Sequence, residues 1–222
     1  VPTANHPTAN DPTGSAPPTA GHVDQGRRRC LSGGTAWAAR ALLPAGFALG
    51  LSTAGRAHPG PGRLDPPLPA PALPLTLHDG QRSTLPRLLQ GRVSAVQLMF
   101  TGCTATCPIQ GALFAAVQAS LPAGSRPPIQ LLSLSIDALG DDAPALQRWL
   151  RALDAKPGWR AAVPSVGGVD ALFEFLGGRS REPDSHTAQV YLFDAQARLV
   201  LRSADFPGPG QVRGWLHALA GR

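Results

Sequence analysis

The chain alternates short apolar runs with stretches whose apolar residues recur every three or four positions. Val93 to Phe100 is a mostly apolar run and reads as a buried strand; Ile129 to Ile136 is a second. From Pro108 onward Ile109, Leu113, Ala116 and Val117 share one face, which predicts a helix opened by the proline. Leu146, Trp149, Leu150 and Leu153 stand at i, i+3, i+4 and i+7, and Asp141-Asp142 precede them as acids suited to a helix N-terminus. Val169 to Leu176, closed by Gly177-Gly178, predicts another helix, and Val212, Trp215, Leu216 and Leu219 mark the last. The remaining pieces read as strands. Leu75 to Leu77 and Arg82 to Thr84 flank Asp79-Gly80 as a hairpin, followed by a helical turn from Leu85 to Leu89 that Gly91 stops. Pro157-Gly158-Trp159-Arg160 turns into a short extended segment, and Gln189 to Phe193 pairs with Leu199 to Arg202 around Asp194-Ala-Gln-Ala. Strands alternating with helices, then a hairpin and a closing helix, predict an α/β sandwich around a mixed sheet, with a β-hairpin extension at its N-terminal side.

The predicted domain spans residues 75–222, and the chain ahead of it has a different character. Residues 1–26 repeat Pro-Thr-Ala-Asn and are rich in Pro, Thr, Ala and Gly, the composition of a disordered tail. Residues 27–57 run from Arg27-Arg28-Arg29 through the mostly apolar stretch Thr35 to Leu51 to small residues ending at Ala57. Basic, apolar, small is the order of an export signal. As a membrane anchor the stretch is short and contains Arg40 and Pro44. Residues 58–74 are Pro-rich without periodicity, and read as a linker or as a strap along the domain surface.

The net charge is +6, with a single lysine, Lys156. Five arginines against two aspartates in residues 1–57 account for half of it, and the rest is scattered without interleaved aromatics. That pattern argues against nucleic acid as a partner. There is no P-loop, no GxGxxG and no GxSxG.

The candidate chemistry begins where the Val93 strand stops. Cys103 and Cys107 follow four positions apart, just ahead of the helix that Pro108 opens. The positive end of a helix favours thiolate, the form that binds soft metal or attacks a disulfide. The plain alternative is a pair of buried apolar cysteines, but these lie in a loop and not on a periodic face. His186 enters the strand Gln189 to Phe193, whose start lies beside the end of the Val93 strand in a sandwich of this order. Cys103, Cys107 and His186 are then able to converge, and two thiolates with one imidazole suit copper, or zinc with an open position. Asp137, at the end of the Ile129 strand, is a further metal candidate; His78 reads as a turn residue and His217 as solvated. Cys30 lacks the flanking residues of a lipid-modified cysteine. Without the leader only Cys103 and Cys107 remain, and in an oxidising compartment such a pair forms a disulfide or shares a metal.

Phe100-Thr-Gly-Cys-Thr-Ala-Thr-Cys-Pro108, Ser133-Leu-Ser-Ile-Asp137, Pro157-Gly-Trp-Arg160, Asp184-Ser-His-Thr-Ala188 and Tyr191-Leu-Phe-Asp194 together resemble the Sco/SenC family of copper-binding proteins, in the family's order. The resemblance implies a thioredoxin-like three-layer sandwich with added elements and copper, Cu(I) or Cu(II), held by Cys103, Cys107 and His186. It implies a part in maturing the dinuclear copper centre of cytochrome c oxidase subunit II. The expected place is the periplasmic side of a bacterial inner membrane, anchored or released, among other copper carriers or thiol reductases. The family usually has Asp directly before this His, whereas Ser185 intervenes here. The alternative from another class is a thiol-disulfide oxidoreductase with Cys103 and Cys107 as its catalytic redox pair. The CxxxC spacing speaks against it, since thioredoxin-type reductases use CxxC and a cis-proline where His186-Thr187 stands.

Overall fold

The computed structural model describes residues 60–122, 124–179 and 186–221. The predicted tail and leader, the first residues of the connector, Asp184 and Ser185 lie outside the described residues. The described chain runs β1 (Gly62–Pro69), β2 (Pro74–Leu77), β3 (Arg82–Thr84), α1 (Leu85–Leu89), β4 (Val93–Met99), α2 (Thr106–Ala119), β5 (Ile129–Ser135), α3 (Ala143–Ala152), β6 (Trp159–Pro164), α4 (Val166–Leu176), β7 (Tyr191–Phe193), β8 (Arg198–Arg202) and α5 (Pro209–Ala220). One mixed sheet has the order β1-β8-β7-β4-β5-β6-β2-β3. Its centre, β4-β5-β6, is parallel, and β7 runs antiparallel to β4 with Val96 opposite Tyr191 and Ser94 opposite Phe193. The β2–β3 hairpin forms one edge, as the Asp79-Gly80 turn predicts.

Alternation along the strands builds two cores, one on each face of the sheet. Val93, Ala95 and Met99 of β4 pack with Phe114 and Val117 of α2, Leu146 and Leu150 of α3, and Val212 and Leu216 of α5. Val96 and Leu98 turn the other way, toward Leu85, Leu88 and Leu89 of α1 and Leu172 and Leu176 of α4. Every residue of β4 is buried, which is why it reads as an apolar run rather than as an alternating strand. Trp159, from the Pro-Gly-Trp-Arg turn, ties the first core together. Its ring lies 5.8 Å from those of Phe114 and Trp149, and its indole N–H donates to Ser133 Oγ at 3.0 Å.

The connector assignment requires correction. Residues 62–69, predicted as linker or strap, form β1, which pairs with β8 at the sheet edge, so the ordered domain begins well before Leu75. Five prolines within residues 59–69 hid this strand, but an edge strand is bonded on one side only and tolerates prolines that a central strand does not. Register jumps between Arg63 and Leu68, the interval that holds Pro66 and Pro67. Smaller shifts occur at helix starts. α2 begins at Thr106, two residues before Pro108, and α4 begins at Val166 rather than Val169. No described helix is long and apolar enough to cross a membrane.

Candidate metal centre

The site forms where β4 and β5 end and β7 begins. β4 ends at Met99, and the loop from Phe100 to Ala105 carries Cys103 before α2 opens. This loop is tied down by Asp141. Its buried carboxylate accepts from the Thr101 amide at 3.0 Å, from the Thr101 hydroxyl, and from Ser135 Oγ at 2.6 Å. The sequence reading of Asp141-Asp142 as two helix-end charges is therefore half right. Asp142 caps α3, accepting from the Ala145 amide at 2.8 Å, while Asp141 turns inward. A capped helix needs only one acid at the N-cap, so the second was the available signal.

Cys107 stands in the first turn of α2, 1% exposed and packed in the core, so the apolar-cysteine reading describes part of its surroundings. Its other neighbour is His186 Nε2, 3.7 Å from Cys107 Sγ. Its backbone amide donates to Cys103 Sγ at 3.3 Å. Cys103 is half-buried and, with Phe100, Thr104, Thr106 and His186, lines an open cavity of about 380 Å³. A cavity of about 470 Å³ between the end of α2 and the turn into β6, lined by Gln118, Leu153 and Lys156, presents no thiol or imidazole.

His186 arrives by a longer route. α4 ends on Gly177 at φ 65°, and Gly178 then passes so close to β4 and β7 that an added Cβ would meet Leu98 and the Tyr191 hydroxyl at 2.7 Å. Thr187 returns to the same place: its amide donates to the Gly178 carbonyl at 2.9 Å, and its hydroxyl lies 2.7 Å from that of Tyr191. Arg202 secures the departure point, donating to the carbonyls of Leu176 at 2.7 Å and Phe175 at 3.0 Å. His186 Nδ1–H donates to the Thr187 carbonyl at 3.0 Å, which fixes the tautomer and leaves the Nε2 lone pair facing the Cys107 thiol as an acceptor. Phe100 meets the imidazole edge-on.

The two thiols differ electrically. Burial pushes Cys107 up to about 12, reinforced by the hydrogen bond to Cys103 and by the charges of Cys103 and Asp141. Burial also acts against the Cys103 thiolate, but hydrogen bonds from the Cys107 side chain and from the amides of Cys107, Ala105 and Thr106 outweigh it and bring the thiol below its ordinary 9.0. Burial lowers His186, partly offset by the Thr187 carbonyl and Asp205, so the ring is neutral and able to act as a ligand.

The structure thus brings Cys103, Cys107 and His186 to one place. They are not drawn into a finished cage; among the described residues no three His, Cys, Asp or Glu stand ready-gathered around a metal position. Asp137 does not join them. Its carboxylate accepts from the Leu139 and Gly140 amides and shapes the loop after β5. His78 shares a strand-end contact with Ala161, and His217 is exposed on α5.

Comparison with known proteins decides the family. The model of the SCO1/SenC family matches residues 70–213. The chain belongs to the SCO1/SenC family. Its CxxxC loop and its histidine both lie within the matched segment. Solved structures carry the same fold. Yeast Sco1 with copper bound is 17% identical, covers 68% of this chain and 88% of its own, and superposes with a TM-score of 0.58. Apo Sco1 of Thermus thermophilus is 23% identical over 72% of this chain and 95% of that one, with a TM-score of 0.58. A SCO1/SenC family lipoprotein of Bacillus anthracis is 18% identical over 69% and 95%, with a TM-score of 0.55. No curated protein matches the chain significantly. The predicted α/β sandwich with a mixed central sheet and a hairpin extension is the fold of this SCO1/SenC member.

Proposed function

We propose that this protein is a copper carrier that uses Cys103, Cys107 and His186 to hold the ion and helps assemble the dinuclear copper centre of cytochrome c oxidase subunit II. The observation that carries the reading is the approach of His186 Nε2 to within 3.7 Å of Cys107 Sγ, with Nδ1 already committed to a backbone carbonyl. An imidazole whose far nitrogen is hydrogen-bonded and whose near nitrogen faces a thiol is oriented as metal-binding histidines are. Two sulfurs and one nitrogen form a soft donor set that suits copper in either oxidation state. Yeast Sco1 in a copper-bound form has this fold, which supports copper as the cargo. The basic, apolar, small order of residues 27–57 supports export, and the lipoprotein relative from Bacillus anthracis fits a place on the outer face of the inner membrane.

A second reading has its own observation. Cys103, half-buried and lowered, paired with Cys107, sequestered and raised, is the asymmetry of an attacking and a resolving thiol. That pair would act as a thiol-disulfide oxidoreductase on partner cysteines.

His186→Ala separates the two. Thiol-disulfide exchange needs the two sulfurs and access to them, not the imidazole. Cu(II) prefers nitrogen more than Cu(I) does, so the variant should lose the thiolate-to-Cu(II) colour first and keep some Cu(I). Copper titration of the pure variant and oxidase activity in cells that carry only it are the measurements. If copper affinity and oxidase activity both survive, the carrier reading fails and the reductase reading replaces it.

A further inference from the structure

Five large apolar side chains are exposed among the described residues, and three of them, Ile109, Leu139 and Phe206, belong to segments that meet around the thiols and the imidazole. Ile109 is two residues beyond Cys107 in the first turns of α2. Leu139, 87% exposed, tops the loop after β5, which Asp141 ties to the cysteine loop through Thr101. Phe206 follows β8, and its amide donates to the carbonyl of Ala188, two residues past His186. Phe206 holds φ at 49°, a left-handed conformation that a bulky side chain rarely adopts and that persists only where the surroundings impose it.

The charge at this end is also one-sided. The described segments 100–109, 136–142, 186–190 and 203–208 carry Asp137, Asp141, Asp142 and Asp205 and neither lysine nor arginine, in a chain whose net charge is +6. Arg179, bridged to His186 through the backbone, is engaged with Asp170 and lies 4.7 Å over the Phe173 ring. An acidic rim is repelled by anionic lipid. The same rim on a second copy would face like charge across a two-fold axis.

We propose that Ile109, Leu139 and Phe206, ringed by Asp137, Asp142 and Asp205, form the docking surface for a protein partner with an apolar centre and a cationic rim, the protein that exchanges copper with this site. The inference rests on the carrier reading, and its test is read without copper. The reduced, copper-free full chain is titrated by calorimetry with the soluble copper domain of cytochrome c oxidase subunit II. Binding should weaken on raising salt from about 20 to about 300 mM, as charge steering across a rim requires. Leu139→Ser and Phe206→Asn should each weaken it about tenfold, as expected for truncating a central apolar contact. Asn is chosen at 206 because it tolerates the left-handed backbone. Asp137→Asn should weaken it about twofold and flatten the salt dependence. Copper affinity of all three variants should stay within about twofold of the parent chain, since none supplies a ligand. Absence of binding by the parent chain, or binding that the variants leave unchanged, overturns the proposal. So does a fall in copper affinity in the variants, which would place these residues in the ion site. A dimer of the chain alone that the same variants dissolve, seen by sedimentation, overturns it in favour of self-association. Docking that persists while copper binding is absent overturns the carrier reading and leaves the surface standing.

Discussion

The loop that brings the thiols and the segment that brings the imidazole meet at one site but are held by different means. The cysteine loop is gripped by a charge: the buried Asp141 carboxylate takes hydrogen bonds from the Thr101 amide and hydroxyl and from Ser135. The histidine segment is itself held by neutral groups, the Thr187–Tyr191 hydroxyl pair and the Thr187 amide on the Gly178 carbonyl, while the Arg202 guanidinium grips only the end of α4 from which the segment departs. Hydrogen bonds to an ionised group are about twice as strong as neutral ones. The thiols therefore sit on the firmer side, and the imidazole on the more easily adjusted one.

The sharpest way to break this contrast is Asp141→Ala. It leaves the half-buried Thr101 amide and hydroxyl and the buried Ser135 hydroxyl without an acceptor and should cost about 3 kcal/mol, more than a hundredfold in the folding equilibrium, measured by urea unfolding. If the loss is no greater than that of Tyr191→Phe, the two sides are held equally and the comparison fails.

Within the cysteine loop, the thiols should react at different rates. Cys107, pushed up to about 12, carries about a ten-thousandth of its sulfur as thiolate at pH 8, whereas Cys103, lowered from its ordinary 9.0, carries far more. Allowing for the lower nucleophilicity of the more acidic thiolate, Cys103 should alkylate about thirtyfold faster in the reduced protein. Mass-spectrometric timing with iodoacetamide checks this, and equal rates would remove the asymmetry.

Tyr191→Phe tests the neutral side. It deletes the hydroxyl that meets Thr187 and should cost about 1 kcal/mol of stability. Copper affinity should fall about tenfold, the lower end of what outer-sphere partners of metal ligands contribute. The visible Cu(II) band should shift while the fold, judged by far-ultraviolet dichroism, stays unchanged; an unmoved band would make the hydroxyl pair purely structural.

The smallest effect is that of pH on the imidazole. Because the folded protein holds His186 below its ordinary 6.5, the neutral ring is favoured in the native state. The resulting stability is complete above about 6.5 and is lost as pH falls through the lowered folded value. The slope cannot exceed about 1.4 kcal/mol per pH unit for one proton. Melting temperatures between pH 7 and pH 5 should decline less in His186→Ala than in the parent chain.

Much of the site was legible before any coordinates. Two cysteines at the junction of a strand and a helix, and a histidine ahead of a later strand, are local patterns. The central strands announce themselves because burial on both faces demands unbroken apolar runs, as in β4. Asp141 was misread because a helix-end acid and a buried acceptor look alike in sequence, and only the return of Thr101 toward it separates them. β1 was missed because an edge strand needs no apolar alternation and accepts prolines.

Local sequence determined which residues carry the chemistry, since strand, turn and helix-start preferences act over a few neighbouring positions and place Cys103 and Cys107 together by themselves. Whether an imidazole 79 residues further on would meet them was decided by tertiary structure alone. That meeting depends on β7 lying antiparallel beside β4, on a glycine with no room for a Cβ at 178, and on a threonine that finds Tyr191. No single short stretch encodes these contacts, because each arises from packing between segments that only the folded sheet brings side by side.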